Sequence, residues 1–184
     1  MPRSIDVERH WLAADPLVPN NATMPLLVYR GAFDASGARD AEAVIRAHFA
    51  ANDWSNGWID GIFDFHHYHA TAHEVLGIAR GDADVQFGGP SGPVVHVGAG
   101  DVVLIPAGVG HCRKRASRDL SVVGAYPGGT SYDLKHADRD DPAAAERQVA
   151  RVPVPRMDPV LGRDGPATRI DESRPLKPPA PRAR

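Results

Sequence analysis

Short apolar runs bounded by Gly, Pro and Asp follow one another from Asn56 to about Gly129. Runs of this length, without the three- and four-residue spacing of an amphipathic helix, predict β-strands. The predicted strands are Trp58 to His69, Glu74 to Arg80, Val85 to Phe87, Val94 to Val97, Val102 to Ile105 and Leu120 to Tyr126. Because no helical pattern separates them, we exclude parallel βαβ winding and expect an antiparallel sandwich or barrel, such as a jelly roll.

Two elements are predicted ahead of these strands. Pro25 to Arg30 is rich in β-branched and aromatic residues, which favours a strand. Between Asp40 and Ala51, apolar residues recur at three- and four-residue steps, and Asp40 is placed to cap the first turn. This pattern predicts the one substantial helix of the chain.

The composition changes after Asp133. Nine of the seventeen prolines lie between Pro142 and Pro181, and so proline-rich a segment forms neither a helix nor a central strand. We expect a short helical turn over Ala143 to Ala150 and an extended segment over Arg151 to Pro166. The predicted organisation is an N-terminal arm (1–24), a barrel with its helix (25–133), an extension packed on the barrel (134–170) and a mobile tail (171–184).

Length and charge narrow the classes of function. A chain of 184 residues fits one domain and its extensions, since domains commonly hold about 100 to 150 residues. The net charge of -2 provides no basic field to attract nucleic acid or anionic membranes. No apolar run resembles a signal peptide or a membrane span, and Cys112, the single cysteine, cannot form an intramolecular disulfide. We therefore predict a cytoplasmic protein that binds neither nucleic acid nor membrane.

A histidine-rich run holds the first candidate metal ligands. Alternate side chains of a strand share a face, so Phe63, Phe65, His67 and His69 are expected to point the same way. Glu74 begins the next predicted strand after a four-residue turn. Its carboxylate can therefore return to the interior that the two imidazoles face.

A second run contributes a fourth candidate ligand. After Val102 to Ile105, a turn containing Pro and Gly delivers His111. Three imidazoles and one carboxylate suit iron, manganese, nickel, cobalt, copper or zinc rather than calcium or magnesium. A six-coordinate ion held in this way would keep two positions open for substrate or oxygen.

Two other histidines are predicted to lie outside this ligand set. Strand alternation turns His66 outward, and His73 falls in the turn before Glu74. Since Glu74 would stay ionised as a ligand, any general base must be another group. His73 is the candidate catalytic residue, and a metal-bound hydroxide is the alternative.

A charged run follows His111 directly and consists of Arg113, Lys114 and Arg115. Such a run is commonly a solvated strand end. The alternative is that alternation places Arg113 and Arg115 on the pocket side, where a guanidinium binds a carboxylate or phosphate bidentately. Together with Phe63 and Phe65, these arginines are the candidate substrate-binding residues, and they would favour an anionic substrate.

Both histidine-containing runs match the two sequence motifs of the cupin family. The anchors of the first motif are Gly61, His67, His69, Glu74 and Gly81, and those of the second are Gly100, Pro106, Gly108 and His111. The chain departs from the second motif at Arg115, where the family pattern has Asn.

The wider sequence, from roughly Asn20 to Ala167, resembles the YjlB-like group of small bacterial cupins, for example in His-His-Tyr-His-Ala-Thr-Ala-His-Glu-Val-Leu-Gly. The resemblance implies an all-β double-stranded β-helix, or jelly-roll barrel, with a metal pocket and frequent dimerisation. Because Val102 to Ile105 is apolar on both faces, its outer face needs a cover. We expect that cover to be the N-terminal segment, the proline-rich tail or a second subunit of a homodimer.

The leading functional prediction is a metalloenzyme that acts on a small, anionic, oxygen-bearing molecule. One divalent transition metal ion (iron, manganese, nickel or zinc) would chelate the substrate or activate dioxygen, as in a metal-dependent dioxygenase or isomerase. A non-catalytic binding or sensing cupin and a structural scaffold stay open as alternatives, because the fold does not determine the function.

Overall fold

The computed structural model describes residues 5–34 and 40–169, so the predicted mobile tail lies outside the described residues. The described chain forms mainly strands, with helices α1 (Ala41–Ala51) and α2 (Pro142–Val149) and a 3-10 turn at Pro166–Thr168. The strands are β1 (Asp6–His10), β2 (Leu26–Arg30), β3 (Trp54–Asp60), β4 (His67–Tyr68), β5 (Glu74–Arg80), β6 (Asp82–Phe87), β7 (Val94–Gly98), β8 (Val102–Ile105), β9 (His111–Ala116), β10 (Ser121–Pro127) and β11 (Lys135–His136).

The strands form two antiparallel sheets with the connectivity of a jelly roll. The first sheet has the order β1-β2-β8-β5-β10-β3 and the second the order β11-β4-β9-β6-β7. When β3 to β10 are counted as strands 1 to 8, the central orders become 1-8-3-6 and 2-7-4-5. This interleaving arises when a long antiparallel hairpin is rolled up so that its first strand lies beside its last, as in a jelly roll. The predicted fold class is confirmed.

The core between the sheets follows the alternation of apolar residues along the strands. Leu76 and Ile78 of β5 point inward with Val103 of β8, and they meet Val85 and Phe87 of β6 from the opposite sheet. Each of these side chains is buried, which stabilises the fold by roughly 1.5 to 3 kcal/mol per residue. Since Glu74 lies two residues before Leu76, the same alternation turns its carboxylate into the interior.

The predicted single strand from Trp58 to His69 is wrong. The chain leaves the first sheet at Asp60 and enters the second at His67, and residues 61–66 form the crossing between them. A segment that changes sheets cannot keep strand alternation. Phe63, expected in the interior beside Phe65, is consequently 50% exposed.

Helix α1 covers the outer face of the first sheet. Its capping residue is Asp40, as predicted, whose side chain accepts a hydrogen bond from the Ala43 N–H. Ile45 and Phe49 bury their side chains against the outward-facing residues of the sheet. The helix lies so close that a Cβ at Gly77 would come within 2.5 Å of Ile45.

The segment after the barrel completes that cover. Val160 and Ala167 pack into the same apolar cluster as α1. Asp158, which is fully buried, accepts hydrogen bonds from the Tyr29 hydroxyl (2.6 Å) and from three backbone N–H groups, those of Val160, Leu161 and Ala167. The outer face of β8 is thus covered by α1 and by the C-terminal extension. The predicted homodimer stays a prediction.

Candidate metal centre

Four buried side chains from both sheets converge at one end of the barrel. His67 opens β4 and pairs across the sheet with His111, the first residue of β9. His69 follows β4 immediately, and Glu74 opens β5 in the opposite sheet. All four have 6% or less of their surface exposed.

The spacing of the three imidazoles fits a single ion, and the Glu74 carboxylate lies beside two of them. One ring nitrogen from each of His67, His69 and His111 lies within 4.8 Å of the other two. The Glu74 Oε2 atom is 3.4 Å from Nε2 of His69 and 3.4 Å from Nε2 of His111. Neighbouring ligands of one ion, each about 2.0 to 2.2 Å from it, stand roughly 3.0 to 3.5 Å apart. The buried cluster can therefore bind a metal.

Backbone carbonyls orient each of the three imidazoles. The acceptors of the three Nδ1–H groups are Phe65 O for His67 (3.0 Å), Val109 O for His111 (3.3 Å) and Asp133 O for His69. Because a carbonyl oxygen only accepts, Nδ1 carries the proton and Nε2 presents its lone pair. This tautomer, held by a partner behind the ring, is typical of metal-binding histidines.

The electrostatics of the cluster also suit a cation. Burial, reinforced by the nearby His111, lowers the pKa of His67 to about 2. Burial alone would raise the pKa of Glu74, but His69 and His111 hold it below its usual range. Burial likewise opposes charge on His69, yet the Glu74 carboxylate raises the pKa of that imidazole. The buried Glu74 carboxylate is thus held ionised beside the imidazoles, and a divalent cation at the same place would interact with it more strongly.

The sequence reasoning did not identify Tyr126 of β10, which bonds directly to the cluster. Its hydroxyl donates to Glu74 Oε1 (2.7 Å) and accepts from the Trp58 Nε1–H (2.9 Å). Burial, together with the adjacent carboxylate, raises the pKa of Tyr126, so the hydroxyl keeps its proton. Glu74 Oε1 is therefore engaged, and Oε2 is the oxygen that faces the imidazoles. The pattern of β10 alone gives no signal for this contact.

Asp133 is a second residue that the sequence reasoning missed. Its carboxylate accepts from the backbone N–H groups of Ala70 and Thr71 and from the Thr71 hydroxyl. Its own carbonyl accepts from His69. One residue from the loop after β10 thus fixes the turn after β4 and the ring of a candidate ligand.

A cavity of about 530 Å³ opens from the cluster toward solvent. Its lining residues are Trp58, Ile59, Asp60, Gly61, Ile62, Phe63, His67, His69, Glu74, Leu76, His111, Arg113, Tyr126, Tyr132 and Leu134. Of the predicted substrate-binding residues, Phe63 and Arg113 are in this set. Phe65 and Arg115 are outside it; Phe65 lies between Phe63 and His136, with both of which its ring stacks.

A β-bulge separates the two arginines that alternation placed on one face. Arg113 is paired with Val85, but Arg115 is paired with Asp84, so β9 contains one extra residue at this point. Val85 points into the core and its neighbour Asp84 points out, and cross-strand partners share a face. The expectation that both arginines face the cavity is therefore met by Arg113 alone. Arg115 forms ion pairs with Asp82 (2.6 Å) and Asp84 (2.8 Å).

His73 is buried beside the centre, but it is not among the residues that line the cavity. Its Nδ1 accepts from the Ala107 N–H (2.9 Å), and its Nε2 donates to the Pro153 carbonyl (3.2 Å). Burial lowers the pKa of His73 to about 4, which keeps the ring neutral. Both nitrogens thus bond to backbone groups. The catalytic role of His73 stays a prediction that these contacts do not support.

Structural comparisons return cupin-like proteins at low similarity. RmlC from Streptococcus suis, solved in complex with dTDP-D-xylose, has a TM-score of 0.36 at 9% identity, covering 68% of this chain and 70% of that one. Acireductone dioxygenase from Bacillus anthracis, solved with a cadmium ion in its active centre, has a TM-score of 0.35 at 18% identity, covering 53% and 69%. In the described part of the chain, no helix is both long and apolar enough to cross a membrane.

Sequence comparison gives a much stronger relationship. No protein-family profile matches the chain. The uncharacterized protein YjlB of Bacillus subtilis (strain 168) is 38% identical over 165 residues, which span 90% of this chain and 96% of that protein. Similarity at this level over nearly the full length of both proteins, together with the jelly-roll connectivity, shows that the chain belongs to the YjlB family of cupins.

Proposed function

We propose that the protein is a mononuclear metal-binding cupin that holds one divalent transition metal ion, namely iron, manganese, nickel or zinc, through His67, His69, Glu74 and His111. The observation that carries the proposal is the buried cluster of three imidazoles in the lining of one cavity, with the Glu74 carboxylate beside two of them. Nitrogen-rich sites with a single carboxylate prefer these ions to calcium or magnesium.

The bound ion would supply Lewis-acid or dioxygen chemistry to a small oxygen-bearing anion, as in an oxygenase or an isomerase. The residues of the chain have separate tasks in this proposal. Tyr126 donates a hydrogen bond to one oxygen of Glu74, so the other oxygen would be the one to hold the ion. The apolar part of the cavity wall would pack against the carbon atoms of the substrate, and Arg113 would attract the anion.

A non-catalytic binding or sensing protein is the second candidate. It is favoured by the contacts of His73, whose two nitrogens are both bonded to backbone groups. In the described chain, the histidines that line the cavity are the three candidate ligands. An acid–base reaction would therefore depend on Asp60, on a tyrosine or on a group of the substrate.

Elemental analysis of protein purified without added metal tests the proposal directly. The wild-type protein and His66→Ala should each carry about one ion per chain, whereas His69→Ala should lose more than about 100-fold in metal affinity, since even residues behind the ligands contribute 10- to 100-fold. His66 is a matched control because it precedes His67 directly, and its Nδ1 has no hydrogen-bond partner among the described residues.

Cobalt(II) loading provides a second readout, because the visible absorption of cobalt reports its ligands.

Wild-type stoichiometry and affinity in His69→Ala, or no selective binding of any of the four metals, would refute the proposal. Oxygen uptake by the iron-loaded protein with candidate carboxylates then separates an oxygenase from a binding protein.

A further inference from the structure

Exposed apolar side chains concentrate at the mouth of the cavity. The described residues include eight large apolar side chains that are strongly exposed, and four of these line the cavity. They are Ile59, Phe63, Tyr132 and Leu134, and between 42% and 50% of each is exposed. We refer to these four residues as the apolar rim. Exposed apolar side chains that cluster in this way mark a surface that binds an apolar ligand or partner.

The cavity also contains one cationic side chain, Arg113, whose Nε–H has no partner among the described residues. Arg113 is the single Lys or Arg among the lining residues. Its Nε is buried and has no hydrogen-bond partner in the described part of the chain. Among the described residues, its ion-pair partner is Asp64, whose carboxylate lies 3.7 Å from Nη2 and whose side chain is 75% exposed. An exposed pair at this distance contributes little and leaves the guanidinium available to another anion.

Arg113 and the apolar rim adjoin one another. The backbone N–H of Arg113 donates to the Phe63 carbonyl at 2.8 Å, so the cation and an exposed aromatic ring belong to neighbouring backbone segments. A ligand seated here meets a planar bidentate donor at one end and apolar rings at the other. As the one lining Lys or Arg, Arg113 can pair with one anionic group of the ligand.

We infer that the ligand of this cavity is an amphipathic monoanion, whose carboxylate-type group binds Arg113 and whose apolar, preferably aromatic, arm packs on the rim. This inference rests on the proposed function in placing the ligand in the cavity beside the metal centre. It does not depend on the metal, because Arg113 and the rim lie outside the ligand set.

Binding of small probes to the metal-free protein tests the inference. The probes are 3-phenylpropionate, 3-phenylpropanol, 3-phenylpropylamine and acetate. Their binding is measured by calorimetry and by tryptophan fluorescence, to which Trp58 contributes from the cavity lining. We expect 3-phenylpropionate to bind at least about tenfold more tightly than the alcohol, the amine and acetate, as a charge-assisted bidentate contact predicts.

Two arginine variants form a matched pair. Arg113→Gln should remove the preference for the acid over the alcohol. Arg115→Gln, two residues further along β9, should leave it unchanged within about twofold, because Arg115 is held by two aspartates on the outer face. Phe63→Ala should weaken 3-phenylpropionate binding but not acetate binding.

Equal affinity for acid and alcohol, or an unchanged preference in Arg113→Gln, would overturn the inference. It would also be overturned if the wild-type protein bound no probe and instead self-associated in a way that Phe63→Ser abolished, since the rim would then be an interface between copies. Arginine-dependent binding in a protein that takes up no metal would refute the proposed metal site alone. Normal metal binding without a preference for the acid would refute this inference alone.

Discussion

The hydrogen bond from Tyr126 to Glu74 allows a sharp test of how the centre is held. Tyr126→Phe removes only the hydroxyl, which donates to Oε1 at 2.7 Å and accepts from Trp58. The ring, which stacks on Tyr132 with centroids 4.0 Å apart, keeps its packing. The variant therefore removes the support of one carboxylate oxygen without creating a large cavity.

The expected loss of stability in Tyr126→Phe is the contribution of one hydrogen bond to a buried charged acceptor. Such bonds contribute about 1.5 to 3 kcal/mol, and Glu74 has only 3% of its surface exposed. The free energy of unfolding of the metal-free protein should fall by that amount in urea denaturation. Metal affinity should fall roughly 10- to 100-fold, as is common when the partner behind a ligand is lost.

Tyr132→Phe is the control for this experiment. Tyr132 stacks on Tyr126 and packs edge-on against His69, but the hydroxyl that hydrogen-bonds to Glu74 is that of Tyr126. Removal of the Tyr132 hydroxyl should change neither the free energy of unfolding nor the metal affinity appreciably. If the two variants behave alike, or if Tyr126→Phe binds metal as tightly as the wild-type protein, the assigned role of Tyr126 is wrong.

Two further predictions concern stability. Burial lowers the pKa of His73 in the folded chain from 6.5 to about 4, so its contribution to stability is present above pH 6.5 and is lost as the pH falls toward 4. The wild-type protein should therefore lose unfolding free energy between pH 7 and pH 5, and His73→Asn should lose about 2 kcal/mol less. Urea denaturation at both pH values measures the two losses, and equal losses would contradict this prediction. Tyr29→Phe removes the 2.6 Å hydrogen bond to buried Asp158 and should cost about 1.5 to 3 kcal/mol without altering probe binding. A loss below about 0.5 kcal/mol in the same assay would show that the remaining donors to Asp158 suffice.

Local patterns in the sequence determined much of the fold and the membership of the histidine cluster. Apolar spacing located the helix that runs from Ala41 to Ala51, and the absence of other helical patterns indicated antiparallel strands. Alternation along β5 placed Glu74, Leu76 and Ile78 on one face, as the structure shows. These features depend on residues a few positions apart, which is the range over which backbone periodicity acts.

The tertiary structure alone decided which side chains complete the site. Tyr126 and Glu74 are 52 positions apart and meet only because β10 pairs with β5. One extra residue in β9 reversed the face of Arg115, and the crossing between sheets brought Phe63 to the surface. Strand pairing, bulges and sheet crossings are set by packing between distant segments. No local periodicity records them. The sequence by itself determined the helix, the antiparallel class and the inward face of β5, and only the assembled barrel decided where the chain changes sheets and what surrounds the ligands.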